Sequence, residues 1–415
     1  MSGIRVNEWL HNSGTGGIWQ TSAGNVGIAS SVPTAKLVVT GDVNVSGALT
    51  ATNFNGGQLG NRNLVINGAM NVAQRGTSTT TNAAFCVDRF MCLYGSTNEA
   101  PTFAQHALTS SDTGPWAKGF RNSLHITNGN QTGGAGASSY VAIDYRFEAQ
   151  DVASSGWDYT SPASHITISY WVKSSVSQNF YVTLKTDDGT AQNYGFETGT
   201  LSADTWTKIT KKIPGNSNIQ FNNDAGEGLR IRFVAFRGTN MTTSGYTLNT
   251  WGAYSSGARM PDNTSTWYTT NDSTFEITGL QVEVGQHATP FEHRRYRDDL
   301  VSCYRYCQKY HSGSNTYRFL CQGNVDNDGN NMAMLLNFLE EFRDVPSMTT
   351  TGTASDYAAR RDTTQTCTSV PVAGSISRQS SQITFIVSSH GWTTGQSVKA
   401  FFKTSTSYLI FAAEL

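Results

Sequence analysis

Four aromatic residues, Trp251, Tyr254, Trp267 and Tyr268, fall in a loop-rich stretch from 248 to 273 that also carries Asn, Asp and Thr. Rings of this kind pack on the flat C–H faces of sugars, while neighbouring amides and hydroxyls bond the sugar hydroxyls. Trp392, in the turn Gly391-Trp392-Thr393-Thr394-Gly395, is the equivalent ring near the carboxyl end. Trp116, Trp157 and Tyr159 are placed in a similar way. All of these rings can instead cap the open ends of a β-sandwich, and the sequence leaves both readings open. Trp171 and Trp206 lie in alternating strands and are expected in the core.

Other chemistry is harder to find. Glycosidic cleavage needs two carboxylates roughly 5 to 10 Å apart. Glu148, Asp151, Glu276 and Glu283 sit on strands or strand ends with no spacing that singles out a pair, so they read as lone carboxylates on solvent faces. No GxSxG, HExxH or GxxxxGK motif occurs, and the eight His are dispersed without a metal-ligand spacing. Asn324-Val325-Asp326-Asn327-Asp328-Gly329 imitates the front half of a calcium loop, but its twelfth position is Leu335 where a Glu is required, and a hairpin tip looks the same. No catalytic residue and no metal ligand is therefore assigned. No cofactor is expected; a structural calcium is left open, and the sequence locates no site for it. Asp88 and Arg89 are adjacent, so on a strand they point to opposite sides and are not expected to pair with each other.

Composition limits the partners. With 29 Lys and Arg against 30 Asp and Glu the net charge is −1, and only 14% of residues are charged, against about 25% in ordinary soluble proteins. No basic field exists to attract nucleic acid or an anionic membrane. No apolar run of about 20 residues and no signal-like start occurs, so neither membrane insertion nor export is expected, and Met1 is expected to begin the mature chain. Six Cys, none in a CxxC spacing, read as reduced thiols.

The elements that must hold the rings are mostly strands. Residues 1–60 carry few large apolar side chains, and the short β-prone pairs around Lys36 to Leu49, punctuated by Gly, need partners that copies of the same segment can supply. An interwoven homotrimeric stalk is expected there. From 61 to 295, period-two alternation predicts strands at 140–148, 165–173, 179–185, 206–213, 229–237 and 275–284, and hence a β-sandwich of jelly-roll type. A helix is expected over 297–309, where Leu300, Cys303, Tyr304 and Cys307 make a stripe behind Asp298 and Asp299. Strands then resume to the end, so 296–415 reads as a connecting helix and a small β tip.

Three stretches, taken together, resemble bacteriophage tail-fibre proteins that carry a carbohydrate-binding-like jelly roll. The first is Gly24-Asn25-Val26-Gly27-Ile28, Pro33 and Lys36-Leu37-Val38-Val39-Thr40-Gly41, similar to a phage-fibre stalk except at Ala29, where the stalk usually has Gly. The second is Asn63 to Ser78 with Asp88-Arg89-Phe90. The third is Ile277 to Gly285, Ala288-Thr289-Pro290-Phe291-Glu292 and Cys303-Tyr304-Arg305-Tyr306, with an echo in the terminal Ala412-Ala413-Glu414-Leu415. The resemblance implies a virion protein made in the host cytoplasm. It would mount on tail adaptor or tail tube proteins through its N-terminal segment and bind a host-surface glycan or protein without catalysis. A fibre or decoration protein without receptor contact and a polysaccharide depolymerase are the alternatives.

Overall fold

The computed structural model describes residues 8–10, 17–41, 43, 60–327, 329–388 and 390–415. The chain divides into two compact units, Met1–Gly56 and Gly57–Leu415. In the first, Glu8–Leu10, Gly17–Gln20, Val26–Ile28 and Leu37–Val39 form one four-stranded sheet whose last pair is parallel. Ile18, Ile28 and Leu37 remain 45%, 40% and 61% exposed on it. Ala29 takes a φ of 52°, a left-handed conformation that Gly adopts without steric cost. Most of the expected stalk repeat, residue 42 and residues 44–59, lies outside the described residues.

The second unit is built on two facing antiparallel sheets. One orders the strands Trp251–Ala253, Gln192–Thr200, Asn179–Thr186, Glu227–Arg237, Tyr140–Glu148, Phe90–Gly95 and Ala84–Val87; the other orders Thr207–Pro214, His165–Ser174, Thr274–Val284, Asn122–Thr127, Thr102–Ala107 and Ser78–Thr79. Alternation is the cause: Val141, Ile143, Tyr145 and Phe147 point inward from one sheet and Ile166, Ile168, Tyr170 and Val172 from the other, all in one core. Tyr170 meets Phe233 across the sandwich with ring centroids 4.9 Å apart. All six strands expected from alternation are present. Trp171 is a correction: it is odd-numbered between inward even residues, so it faces outward and is only half-buried, while Trp206 is buried beside it in a small satellite cluster.

The helix runs Tyr296–Tyr304, shorter than expected, because Cys307–His311 is a strand paired with Tyr408–Ala412. That pair and Ser347–Thr350 form a three-stranded sheet beside a seven-stranded sheet with its own core around Met334, Phe385 and Phe402. The joint between sandwich and tip is polar. Glu414 accepts from Arg75 and from Arg89, both at 2.7 Å; Glu148 accepts from Arg305 at 2.7 Å and from Tyr306 Oη at 2.6 Å. The second and third stretches of resemblance and the terminal Glu414 thus meet at one junction. Asp88 and Arg89 are both buried and do not pair with each other: Gln74 donates to Asp88 at 2.5 Å, and Arg89 lies 3.4 Å over the Tyr306 ring. Among the described residues no helix is long and apolar enough to cross a membrane. All six Cys are buried and none forms a disulfide.

Candidate functional site

The outer face of the seven-stranded sheet collects cations for a reason visible in its register. Asp144 pairs with Arg232 and Arg146 with Arg230 across neighbouring strands, while Ile231 and Phe233 point to the core. The register then breaks: Val141 faces Phe236 but Ala142 faces Val234, leaving Ala235 unopposed. The extra residue reverses the phase. Arg237, which strict alternation would send into the core, instead joins Arg230 and Arg232 on the outer face, opposite Tyr140.

These side chains line a cleft of ≈ 430 Å³. Its cations are Arg146, Lys185, Arg230, Arg232, Arg237 and Arg259, with Tyr140, Asn193 and Tyr254 among them. Tyr254 N donates to Ala191 O at 2.8 Å and Arg259 N to Met241 O at 3.0 Å, which pins the loop forming one wall. Three carboxylates answer six cations. Asp144 is gripped in bidentate fashion by Arg232, Glu227 holds Arg230 at 2.6 and 2.7 Å, and Asp187 takes Lys185. Burial works against the Asp144 charge, yet the Arg232 and Arg230 guanidiniums hold its carboxyl below the usual range.

Arg237 is different. It is 3% exposed, no carboxylate stands within ion-pair distance of it among the described residues, and its Nη1 has no hydrogen-bond partner. Burial first, then the charges of Arg232 and Arg259, pull it down to about 9. It still carries its charge at neutral pH.

The rings singled out from the sequence do not assemble in this cleft. Trp267 and Tyr268 sit on a short helix, Thr266–Thr269, at zero exposure. Trp267 Nε1 donates to Thr274 O at 2.9 Å, and Tyr268 stacks on Phe236 at 4.3 Å, so the expectation of exposed stacking surfaces is corrected: they seal one end of the sandwich. Trp251 is 8% exposed with Nε1 donating to Pro214 O at 2.7 Å. Trp392, also at 8%, belongs to the tip core. The sequence could not separate these cases because a ring in a loop and a ring folded back onto a core have the same local pattern. Tyr254 alone lines the cleft, half-buried, with Lys185 Nζ 5.0 Å and Arg259 Cζ 5.8 Å from its ring centroid. The expectation of solvent-facing carboxylates is also corrected: Glu148, Glu276 and Glu283 are buried and bonded, and only Asp151 is exposed.

Two further groupings escaped the sequence. His106, His125 and Glu276 come together from three adjacent strands, their ligand atoms within 4.8 Å of one another. Lys173 Nζ already lies 2.8 Å from Glu276 Oε1 and Ser123 Oγ donates to Oε2 at 2.7 Å, so both carboxylate oxygens are engaged by the protein. On the outer face of the six-stranded sheet, Trp171, Phe120, Phe291, His293, Lys118 and Lys208 line a second cleft of ≈ 410 Å³. The calcium-like segment forms the turn between Arg318–Val325 and Asn331–Asn337, with Asp328 outside the described residues.

No family model matches the chain, and no curated protein matches it. Among solved structures it is similar to the enzymatically active domain of tailspike protein 4 of bacteriophage CBA120, at 9% identity and a TM-score of 0.28, over 54% of this chain and 21% of that one. A putative sugar binding protein from Bacteroides thetaiotaomicron VPI-5482 gives 11% identity and 0.29 over 54% and 100%. A CBM4 structure gives 12% and 0.26 over 53% and 98%. The chain thus spans about a fifth of the tailspike domain it resembles. At these TM-scores the architecture rests on the sheets described above.

Proposed function

We propose that this chain is an attachment fibre of a bacteriophage particle that binds a host-envelope glycan through the cleft on the seven-stranded sheet. The observation that carries the binding reading is the preformed concave site of ≈ 430 Å³, in which Tyr254 is surrounded by side-chain donors held by the sheet and by a pinned loop. Its volume lies in the range of small-ligand sites, about 300 to 1,000 Å³. Planar guanidinium forks are suited to neighbouring hydroxyl and acidic oxygens. The fibre reading rests on the three stretches of sequence resemblance, and with it come a homotrimer, mounting through the N-terminal segment, and a place on the virion. Weak single sites suffice in such an assembly, because linked copies multiply avidity by about 10² to 10⁴.

The reading is of binding rather than cleavage, since each cleft carboxylate already holds a cation. Retention of the purified full chain on immobilised envelope glycans is the direct test. Retention that drops at least about fivefold in Tyr254→Ala, a single-contact effect of about 1 kcal/mol, supports the assignment. Retention by none of the glycans removes it, and release of reducing sugar during the same incubation replaces it with a depolymerase.

A further inference from the structure

The cleft holds more cations than its carboxylates balance, and one of them is buried. A buried guanidinium without a carboxylate is costly, and two like charges beside it raise that cost. Arg230, Arg232 and Lys185 have Glu227, Asp144 and Asp187 as counter-ions, and Arg146 has Glu227 at 3.5 Å. Arg259 spends its Nε on the Ser256 carbonyl at 2.9 Å. Arg237 has Arg232 and Arg259 as its strongest electrostatic neighbours, Asp144 offsets them only from beyond ion-pair distance, no anion is in contact, and the unopposed Ala235 is what delivers it to this face. A bulge that turns an unpaired charge toward a cavity, at a cost to stability, is the pattern of a site awaiting an anion.

We propose that the cleft selects acidic saccharides, with a carboxylate or phosphate-ester oxyanion seated against the Arg237 guanidinium and the sugar ring beside Tyr254. This rests on the glycan-binding reading above and narrows it to one ligand class. Guanidinium offers paired donors that match an oxyanion in bidentate geometry, and in a desolvated pocket the bond is stronger than between neutral groups. The cleft acids cannot supply that anion, because each is already held by another cation. A neutral sugar would leave the guanidinium unpaired and pay its desolvation again.

The test uses the full chain at about physiological ionic strength, titrated with trigalacturonate, neutral galactotriose, glucose 6-phosphate, glucose and a twelve-residue thymidine oligonucleotide. The expected result is binding of trigalacturonate, glucose 6-phosphate or both, with each neutral counterpart at least about 30-fold weaker and the acidic preference lost in Arg237→Met. Which acid binds distinguishes carboxylate from phosphate. Without ligand, Arg237→Met should melt at or above the parent temperature, since it removes an unpaired buried charge; Arg237→Lys should keep part of the preference. Equal binding of acidic and neutral sugars, unchanged in Arg237→Met, overturns this inference and leaves glycan binding standing. Binding of no sugar removes both readings. Preference for the oligonucleotide, or a marked fall in melting temperature in Arg237→Met, also overturns the proposal, the latter because the charge would then be holding the fold.

Discussion

The Glu276 carboxylate has exchanged water for four protein groups: Lys173 at 2.8 Å, Ser123 at 2.7 Å, His125 at 3.2 Å and His106 at 3.3 Å. Burial alone would raise its pKa, but the His125, Lys173 and Ser123 contacts outweigh burial and hold it well below the usual range. A depressed folded value means that the stabilisation is fully present above the unfolded carboxyl value, about 4.3, and is lost as pH falls below it. Glu276→Gln should therefore lower stability by about 3 kcal/mol at neutral pH, with the gap to the parent narrowing as pH falls below about 4.3. Melting curves across that range check it, and a gap that widens in acid would contradict the sign. Ala29 offers the opposite case. Its φ of 52° is strained for any side chain, so Ala29→Gly should raise the free energy of opening of its sheet by roughly 1 kcal/mol, read by hydrogen exchange at Val26 to Ile28. The Gly-to-Ala departure was readable in the sequence. The Glu276 cluster was not, because its members are separated by up to 170 positions and become neighbours only through strand register.

Elements were legible where one face is buried and the other is not. The strands of the sandwich alternate, and alternation fixes both their existence and their inward residues. Two features broke that logic. The bulge at Ala235 reverses phase without a Gly or Pro beside it to announce it, so alternation alone does not place Arg237 on the outer face. Cys307–His311 carries a stripe that also fits a helix, and only its pairing with Tyr408–Ala412 makes it a strand. That pairing places Glu414 against Arg75 and Arg89, and here an element-scale prediction follows. Glu414→Gln leaves two buried guanidiniums sharing a neutral amide, which should cost about 3 to 5 kcal/mol. The loss should fall on the docking of the tip, so limited proteolysis near 305–345 should accelerate before the sandwich melts. A variant with parental cleavage rate and melting temperature would show that the strand ladder alone holds the junction.

At the scale of the whole molecule, the described sheet of the first unit leaves apolar side chains exposed. Ile18, Ile28 and Leu37 are all at least 40% exposed, and a side chain of this size gains about 1.5 to 3 kcal/mol when fully buried. Nothing in a four-stranded sheet with strands of three or four residues can supply that burial internally. A closed ring of identical copies can, and the homotrimer proposed above is one such ring. Sedimentation of the full chain should give a species of about 135 kDa, three times 45.0 kDa, at micromolar concentration. Leu37→Asp places three carboxylates at the shared interface, where mutual repulsion and desolvation add, and should shift the equilibrium toward a species near 45.0 kDa with the sandwich still folded. The two-unit division makes that separation possible, because the sandwich and tip carry their own cores. A parent that sediments as a folded monomer, or a Leu37→Asp variant that assembles like the parent, would mean that these side chains are covered by a different partner and that the trimer must be abandoned.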